Sequence, residues 1–188
     1  MTSSKSHHRA HHRLPGDPEP ASMTARIVRV DHAGEFGAVR IYEGQLAVLG
    51  RSRIGPTIRH MAEQERHHLE VFEKLIRSRR VRPTVLAPLW HAAGFLLGAG
   101  TALLGTRAAM ACTVAVETAI DQHYREQSEL LGPEEAELKS TIDEFRAEEV
   151  EHRDIGLAHG AEGAIAYPLL SGAIQAGSKL AIWLSTRL

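Results

Sequence analysis

A chain of 188 residues is enough for one sizeable domain with a real core and too short for two comfortable ones. With 22 basic and 23 acidic residues the formal net charge is −1, which gives no pull toward nucleic acid. Aromatics make up only 5%, while Ala, Leu, Glu and Arg abound, so helix is favoured over sheet. The one cysteine, Cys112, excludes an intrachain disulfide and reads as a small buried residue of a protein from a reducing compartment.

Residues 1–23 are rich in Ser, His and Pro, with no apolar periodicity and no apolar run of a secretory signal. They read as a disordered tail, ahead of one helical domain over 24–188. The first helix is expected from Thr24 to Leu49, with Gly50 as its stop. It offers Asp31, Glu35 and Glu43, and Gly34 and Gly37 beside Glu35 would permit a close helix approach. This helix alone does not choose between Glu35 and Asp31.

The second helix starts near Pro56 and runs to Arg79. Its apolar seam reads Ile58, Met61, Glu65, His68, Phe72, Leu75. Then, from Pro83 to Thr106, come 24 residues without Asp, Glu, Lys or Arg. That length is enough to span a bilayer, but two prolines, four glycines and His91 argue against a simple span. A crossover between two helix pairs, with one face on a membrane surface, fits better. Arg77, Arg79, Arg80 and Arg82 precede it, placed to meet anionic headgroups.

The third helix covers Ala108 to Leu131, with Met110, Thr113, Glu117, Ile120 and Tyr124 in its seam. A fourth follows "GPEE" and runs to His159, its seam being Leu138, Ile142, Phe145, Glu149, His152, Ile155. A last apolar helix covers Ala164 to Thr186, where Lys179 and Trp183 suit an interface with lipid. No strand alternation appears.

Two Glu-x-x-His pairs therefore occupy positions where a helix presents hydrophobes: Glu65 with His68, and Glu149 with His152. An ionised carboxylate there costs several kcal/mol, on the order of the buried-ion penalty, unless it is paired or holds a cation. The spacing repeats. Glu149 and His152 each follow their counterparts by 84 positions, and Glu117 follows Glu35 by 82. The repeat selects Glu35 over Asp31. Two helix pairs related by a pseudo-twofold would gather four carboxylates and two imidazoles, the ligand set of ferritin-like dinuclear bundles. Such donors suit Fe(II), although zinc or manganese would fit the same ligands. Asp31, Asp121 and Asp154 are candidates to hold the ligand histidines from behind, and equally good surface residues. His67 reads as surface and Tyr42 as core.

The phrases "RIVRVDHAGEFGAVRIYEGQLAVLG", "EQERHHLEVF", "GFLLGAGTALLG", "MACTVAVE" and "EEVEHRDIGL" resemble the demethoxyubiquinone hydroxylases, membrane-associated di-iron monooxygenases of ubiquinone biosynthesis. With the closing "IQAGSKLAIWLSTRL" the resemblance covers about Ala25 to Leu188. It implies an all-α, ferritin-like four-helix di-iron bundle with an apolar crossover and an additional C-terminal helix. It carries the iron ligands over to Glu35, Glu65, His68, Glu117, Glu149 and His152, with Glu65 and Glu149 bridging. His123 and Tyr124 match a His-Tyr pair tied to electron transfer or quinone placement. The implied reaction is O2-dependent hydroxylation of a demethoxyubiquinol or demethoxyubiquinone ring, with two Fe ions as cofactors and NADH as a candidate reductant. Implied partners are a polyprenyl quinone and a membrane surface met through 83–106 and 164–186. A homo-oligomer and a lipid-binding partner protein are left open. The location would be peripheral, on the cytoplasmic face of a bacterial inner membrane or the matrix face of a mitochondrial one. The alternatives are a ferritin-like protein that binds or oxidises iron without a quinone, and a helical membrane scaffold whose buried acids only pair with arginines.

Overall fold

The computed structural model describes residues 20–188. The expected tail lies outside the described residues as far as position 19. Six α-helices follow: α1 (Pro20–Leu49), α2 (Gly55–Ser78), α3 (Ala87–Leu103), α4 (Thr106–Leu130), α5 (Ala136–Ala158) and α6 (Tyr167–Arg187). Among the described residues there is no strand. The fold is all-α and ferritin-like. The helix starts follow the proline rule, since α2, α3 and α6 each carry a proline in their first two positions, where a missing N–H costs nothing. Gly105 (φ 106°) turns α3 into α4, and Gly160 (φ 81°) follows the end of α5; both take the left-handed backbone that a side chain disfavours.

Helix α1 begins at Pro20, earlier than the expected Thr24. The 83–106 segment, expected as a crossover, does cross over, but as a 17-residue helix of its own. No helix among the described residues is long and apolar enough to cross a membrane.

The helices lie in three layers. α1 and α4 form the middle, α2 and α5 cover one side, and α3 and α6 the other. The pseudo-repeat thus embraces three helices per half, with α3 packed on α1 as α6 is packed on α4. Contact between α1 and α3 is backbone-close. A Cβ on Gly98 would lie 1.9 Å from the Ile41 carbonyl oxygen, and one on Gly44 would lie 2.3 Å from that of Phe95. Of the two glycines expected to permit such an approach, Gly37 is met by α3 only at its carbonyl oxygen, 2.8 Å from a Cβ on Gly94, and nothing lies within 4 Å of a Cβ at either Gly34 or Gly37. They face a cavity instead.

The seams hold. Ile58, Met61, Phe72, Leu138, Ile142 and Phe145 are buried, as are Met110, Thr113 and Tyr124. At the outer end of each seam the buried position shifts by one residue, to Ile76 and Gly156. Ideal helices drift against a strict 3–4 spacing, which accounts for the shift. Cys112 is buried and free, and burial pushes its thiol up to about 12.

Candidate metal centre

Between the α1/α4 layer and the α2/α5 layer, six residues from four helices meet: Glu35, Glu65, His68, Glu117, Glu149 and His152. Every one is at most 1% exposed. They form two overlapping groups. Glu35, Glu65, His68 and Glu149 offer ligand atoms all within 4.8 Å of one another, and so do Glu65, Glu117, Glu149 and His152. Glu65 and Glu149 belong to both groups, which places these two carboxylates between the two sets of donors.

The atoms aimed inward lack partners. Both oxygens of Glu65 and of Glu149, one each of Glu35 and Glu117, and Nδ1 of both histidines have no hydrogen bond. Orphaned groups this deep are costly and few in a native protein. Oxygen and imidazole donors converging on two points fit divalent cations of the Fe(II) or Mn(II) kind. His68 Nδ1 lies 3.2 Å from Glu149 Oε1, and His152 Nδ1 lies 3.0 Å from Glu65 Oε1.

The electrostatics agree. Burial, and then the neighbouring charges of Glu149 and Glu35, push the Glu65 carboxyl well above its usual range. Glu117 is pushed up in the same way by burial and by Glu149 and Glu65. Burial also works against ionisation of Glu149, but the imidazoles of His152 and His68, whose Nδ1 atoms lie 3.6 and 3.2 Å from its oxygens, override it and hold that carboxyl at about 2. Burial would lower His68, yet the surrounding carboxylates hold it up at about 12. Without a cation, this site fills with protons.

Outside the six, each half has a brace that crosses to the other. Tyr42 donates to Glu117 Oε1 at 2.8 Å, and Tyr124 donates to Glu35 Oε1. Burial keeps both phenols protonated, hence donors. Nε2 of His152 meets Gln64 Oε1 at 3.0 Å, and Nε2 of His68 meets Glu148 Oε2 at 2.6 Å. These acceptors keep a proton on Nε2, so the Nδ1 proton is the one a cation displaces to take the lone pair that faces the centre. The ring of His68 also stacks on Phe145, with centroids 3.9 Å apart.

Of the two roles open to the three aspartates, Asp121 and Asp154 take that of ordinary ion-pair residues. None of Asp31, Asp121 and Asp154 holds a ligand histidine. Asp31 accepts from Gln127, Asp121 pairs with Arg146, and Asp154 pairs with Arg153. Glu148 and Gln64 do that work and were missed. The signal was present, because Gln64 and Glu148 are themselves 84 positions apart. Tyr42 is core as expected, but its hydroxyl braces a carboxylate. His67 is exposed, as expected. His123 is partly exposed, with Nε2 3.6 Å from Asp31 Oδ1 and 2.8 Å from Gln127 Nε2. It lines a small groove with Lys179, Trp183 and Arg187.

On the other side of the α1/α4 layer lies an apolar cavity of about 490 Å³. Gly34, Gly37 and Ile41 of α1, Trp90 of α3, Ile120 of α4 and Ile174 of α6 are among its walls. Gly34 and Val116, which also line it, immediately precede Glu35 and Glu117 in the chain.

The sequence pattern of the family described as Ubiquinone biosynthesis protein COQ7 matches residues 22–185. The chain belongs to this family. It is 64% identical over 180 residues to the 3-demethoxyubiquinol 3-hydroxylase of Rhodospirillum rubrum, covering 95% of this chain and 84% of that one. It is 58% identical over 167 residues to the mitochondrial NADPH-dependent 3-demethoxyubiquinone 3-hydroxylase of Homo sapiens, covering 87% of this chain and 77% of the relative. With the mitochondrial 5-demethoxyubiquinone hydroxylase of Saccharomyces cerevisiae it shares 42% identity over 185 residues, covering 89% and 79%. In this COQ7-family chain all six acidic and imidazole residues lie inside the matched segment.

Proposed function

We propose that the chain is a monooxygenase that hydroxylates the ring of a demethoxyubiquinol or demethoxyubiquinone, with Glu35, Glu65, His68, Glu117, Glu149 and His152 holding two iron ions. The observation that carries this is the set of unpartnered donor atoms in the buried cluster, one helix layer from an apolar cavity. Held by these residues, two ferrous ions would supply the two electrons that, with one O2 and two protons, turn a ring C–H into C–OH and one water. The protein's own part is positional. Glu65 and Glu149 span the two positions, Tyr42 and Tyr124 fix Glu117 and Glu35, and the closed layers exclude bulk water. The apolar cavity takes the ring and the first part of its polyprenyl tail.

His123 and Tyr124 complete the site. His123 lines the smaller groove and not the apolar cavity proposed for the ring, which favours the electron-transfer role over quinone placement. The reductant is a reduced nicotinamide cofactor; the human relative's name specifies NADPH rather than the expected NADH. A tail dissolved in a bilayer requires an enzyme on its surface. Leu89, Leu96 and Leu103 make an exposed stripe along α3, and Leu169, Leu180 and Trp183 are exposed on α6. These support peripheral membrane binding through the α3/α6 layer. Of the four arginines before α3, Arg77 pairs with Glu73 and Arg79 with Glu135, which leaves Arg80 and Arg82 to meet headgroups.

The test is metal analysis of anaerobically purified protein, then single-turnover oxidation with a short-chain demethoxyquinol. Two irons per chain, one for each ligand group, and an oxygenated ring product are expected. Bound iron that consumes O2 without a ring product would establish the iron-oxidising alternative instead.

A further inference from the structure

The two metal positions are related by the pseudo-twofold, and the bracing contacts next to them obey it. Adding 82 in the middle layer takes Tyr42 to Tyr124, Glu35 to Glu117 and Gln45 to Gln127, and adding 84 in the outer layer takes Gln64 to Glu148. The pairings recur, except that Gln45 also donates to the Ala109 carbonyl where Gln127 meets His123 Nε2. Gln45 Nε2 donates to Thr113 Oγ1 at 3.3 Å, and its counterpart Gln127 Nε2 donates to Asp31 Oδ1 at 2.7 Å. Thr113 and Asp31 are themselves counterparts. The Gln64–His152 contact recurs as Glu148–His68.

What does not repeat is charge. A carboxylate replaces a neutral acceptor twice, at Glu148 and at Asp31. Both replacements fall on the position served by Glu35 and His68. The position served by Glu117 and His152 has an amide and a hydroxyl in their places. A carboxylate behind an imidazole raises its basicity as a ligand, while an amide oxygen fixes the tautomer without adding charge.

We infer that the two metal positions are inequivalent, that the Glu35/His68 position is the tighter and fills first, and that Glu148 is the positioning residue that sets the difference. Asp31 lies one helical turn before Glu35 but also faces His123 Nε2 at 3.6 Å, so the difference rests on Glu148. Glu148 acts through His68 and reaches neither metal position itself. Its side chain is 32% exposed, so replacing it strands no buried charge.

This rests on the proposed metal centre, and the experiment separates the two. Metal-free full-length protein is titrated anaerobically with Co(II), followed by visible absorption and calorimetry. Two Co(II) per chain, bound in two resolved steps, are expected; fewer than two would overturn the metal centre itself. The second step is then removed with E117A and, separately, the first with E35A. On the E117A background, E148Q is expected to weaken the remaining site by about 10- to 100-fold, the range for loss of a group that orients a metal ligand. On the E35A background it is expected to change affinity less than about twofold. E148D, which keeps the carboxylate, restores most of the loss. Q64E places a carboxylate behind His152 and is expected to tighten the second step of the otherwise unchanged chain. Equal effects of E148Q on both backgrounds, or no tightening by Q64E, overturn the inequivalence while leaving the metal centre standing.

Discussion

At the scale of single residues, neighbours in one charged string have opposite fates. In "EEVEH", Glu149 and His152 are fully buried, Glu148 reaches His68 from the rim, and Glu151 is exposed. Glu149→Ala is therefore expected to lose iron, while Glu151→Ala keeps its full complement; retention by both would sink the assignment of faces. Protons report on the same site. In the metal-free fold Glu65, Glu117, His68 and His152 are all raised above their ordinary values of 4.5 and 6.5, His68 to about 12. Between those ordinary and raised values the fold holds protons that the unfolded chain has released, so its stability falls as pH rises. Glu149 has the opposite sign, but its contribution is lost only as pH falls from 4.5 through about 2. The metal-free protein should thus melt at a higher temperature at pH 5 than at pH 8. Metal binding expels those protons, so iron-loaded protein should show the reverse order. Calorimetric scans with chelator and with anaerobic Fe(II) check both, and a metal-free melting point that climbs toward pH 8 would contradict the buried cluster's charge state.

At the scale of elements, two kinds of glycine separate packing from function. Gly98 faces the backbone of α1, and the contact there leaves no flexible side chain to move aside. Gly98→Ala is expected to cost about 1–3 kcal/mol, the range for overpacking, as read by denaturant unfolding. Gly37 faces the cavity with open space around it. Gly37→Leu removes a helix glycine, worth nearly 1 kcal/mol on propensity alone, and fills the cavity. It should leave iron content and melting temperature intact or slightly raised while turnover with a demethoxyquinol falls at least about tenfold, the equivalent of 1.4 kcal/mol. Undiminished turnover would detach the cavity from the substrate. The glycines also mark where sequence reading succeeds and where it stops. Helices, seams and the six clustered residues were legible because burial imposes a 3–4 period and because a Glu-x-x-His pair inside that period has no cheap reason to be there. Which glycine meets another helix was not legible: Gly34, Gly37 and Gly98 look alike in the chain, and only the crossing of α1 with α3 distinguishes them. Glu148 was missed for a similar reason. It lies just off its helix's buried stripe, and its partner belongs to another helix.

At the scale of the whole molecule, the layers divide the work. The α2/α5 side carries the histidines, the α1/α4 layer carries two of the carboxylates and walls off the cavity, and the α3/α6 layer presents leucines outward. Leu96 and Leu103 are 68% and 76% exposed, seven positions apart on one stripe of α3, with neither packed against the rest of the chain's core. A soluble monomer gains nothing from such a stripe, whereas burying one leucine in an apolar phase yields roughly 1.5–3 kcal/mol. If this layer rests on lipid, the double substitution Leu96→Asp and Leu103→Asp should reduce partitioning onto vesicles containing anionic lipid by at least about tenfold, since 1.4 kcal/mol already suffices for that factor. Iron content should be unchanged, because the stripe lies two helix layers from α2 and α5. The chain's own fluorescence supplies the readout. Of its two tryptophans, Trp90 is part-buried and tied to Ser185, whereas Trp183 is half exposed on α6, three positions after the exposed Leu180. Vesicle binding should shift the Trp183 emission to the blue in the parent chain and much less in the double variant. An equal shift in both would move the lipid contact to a different face, and the cavity between α1, α3, α4 and α6 would then need another route to the bilayer.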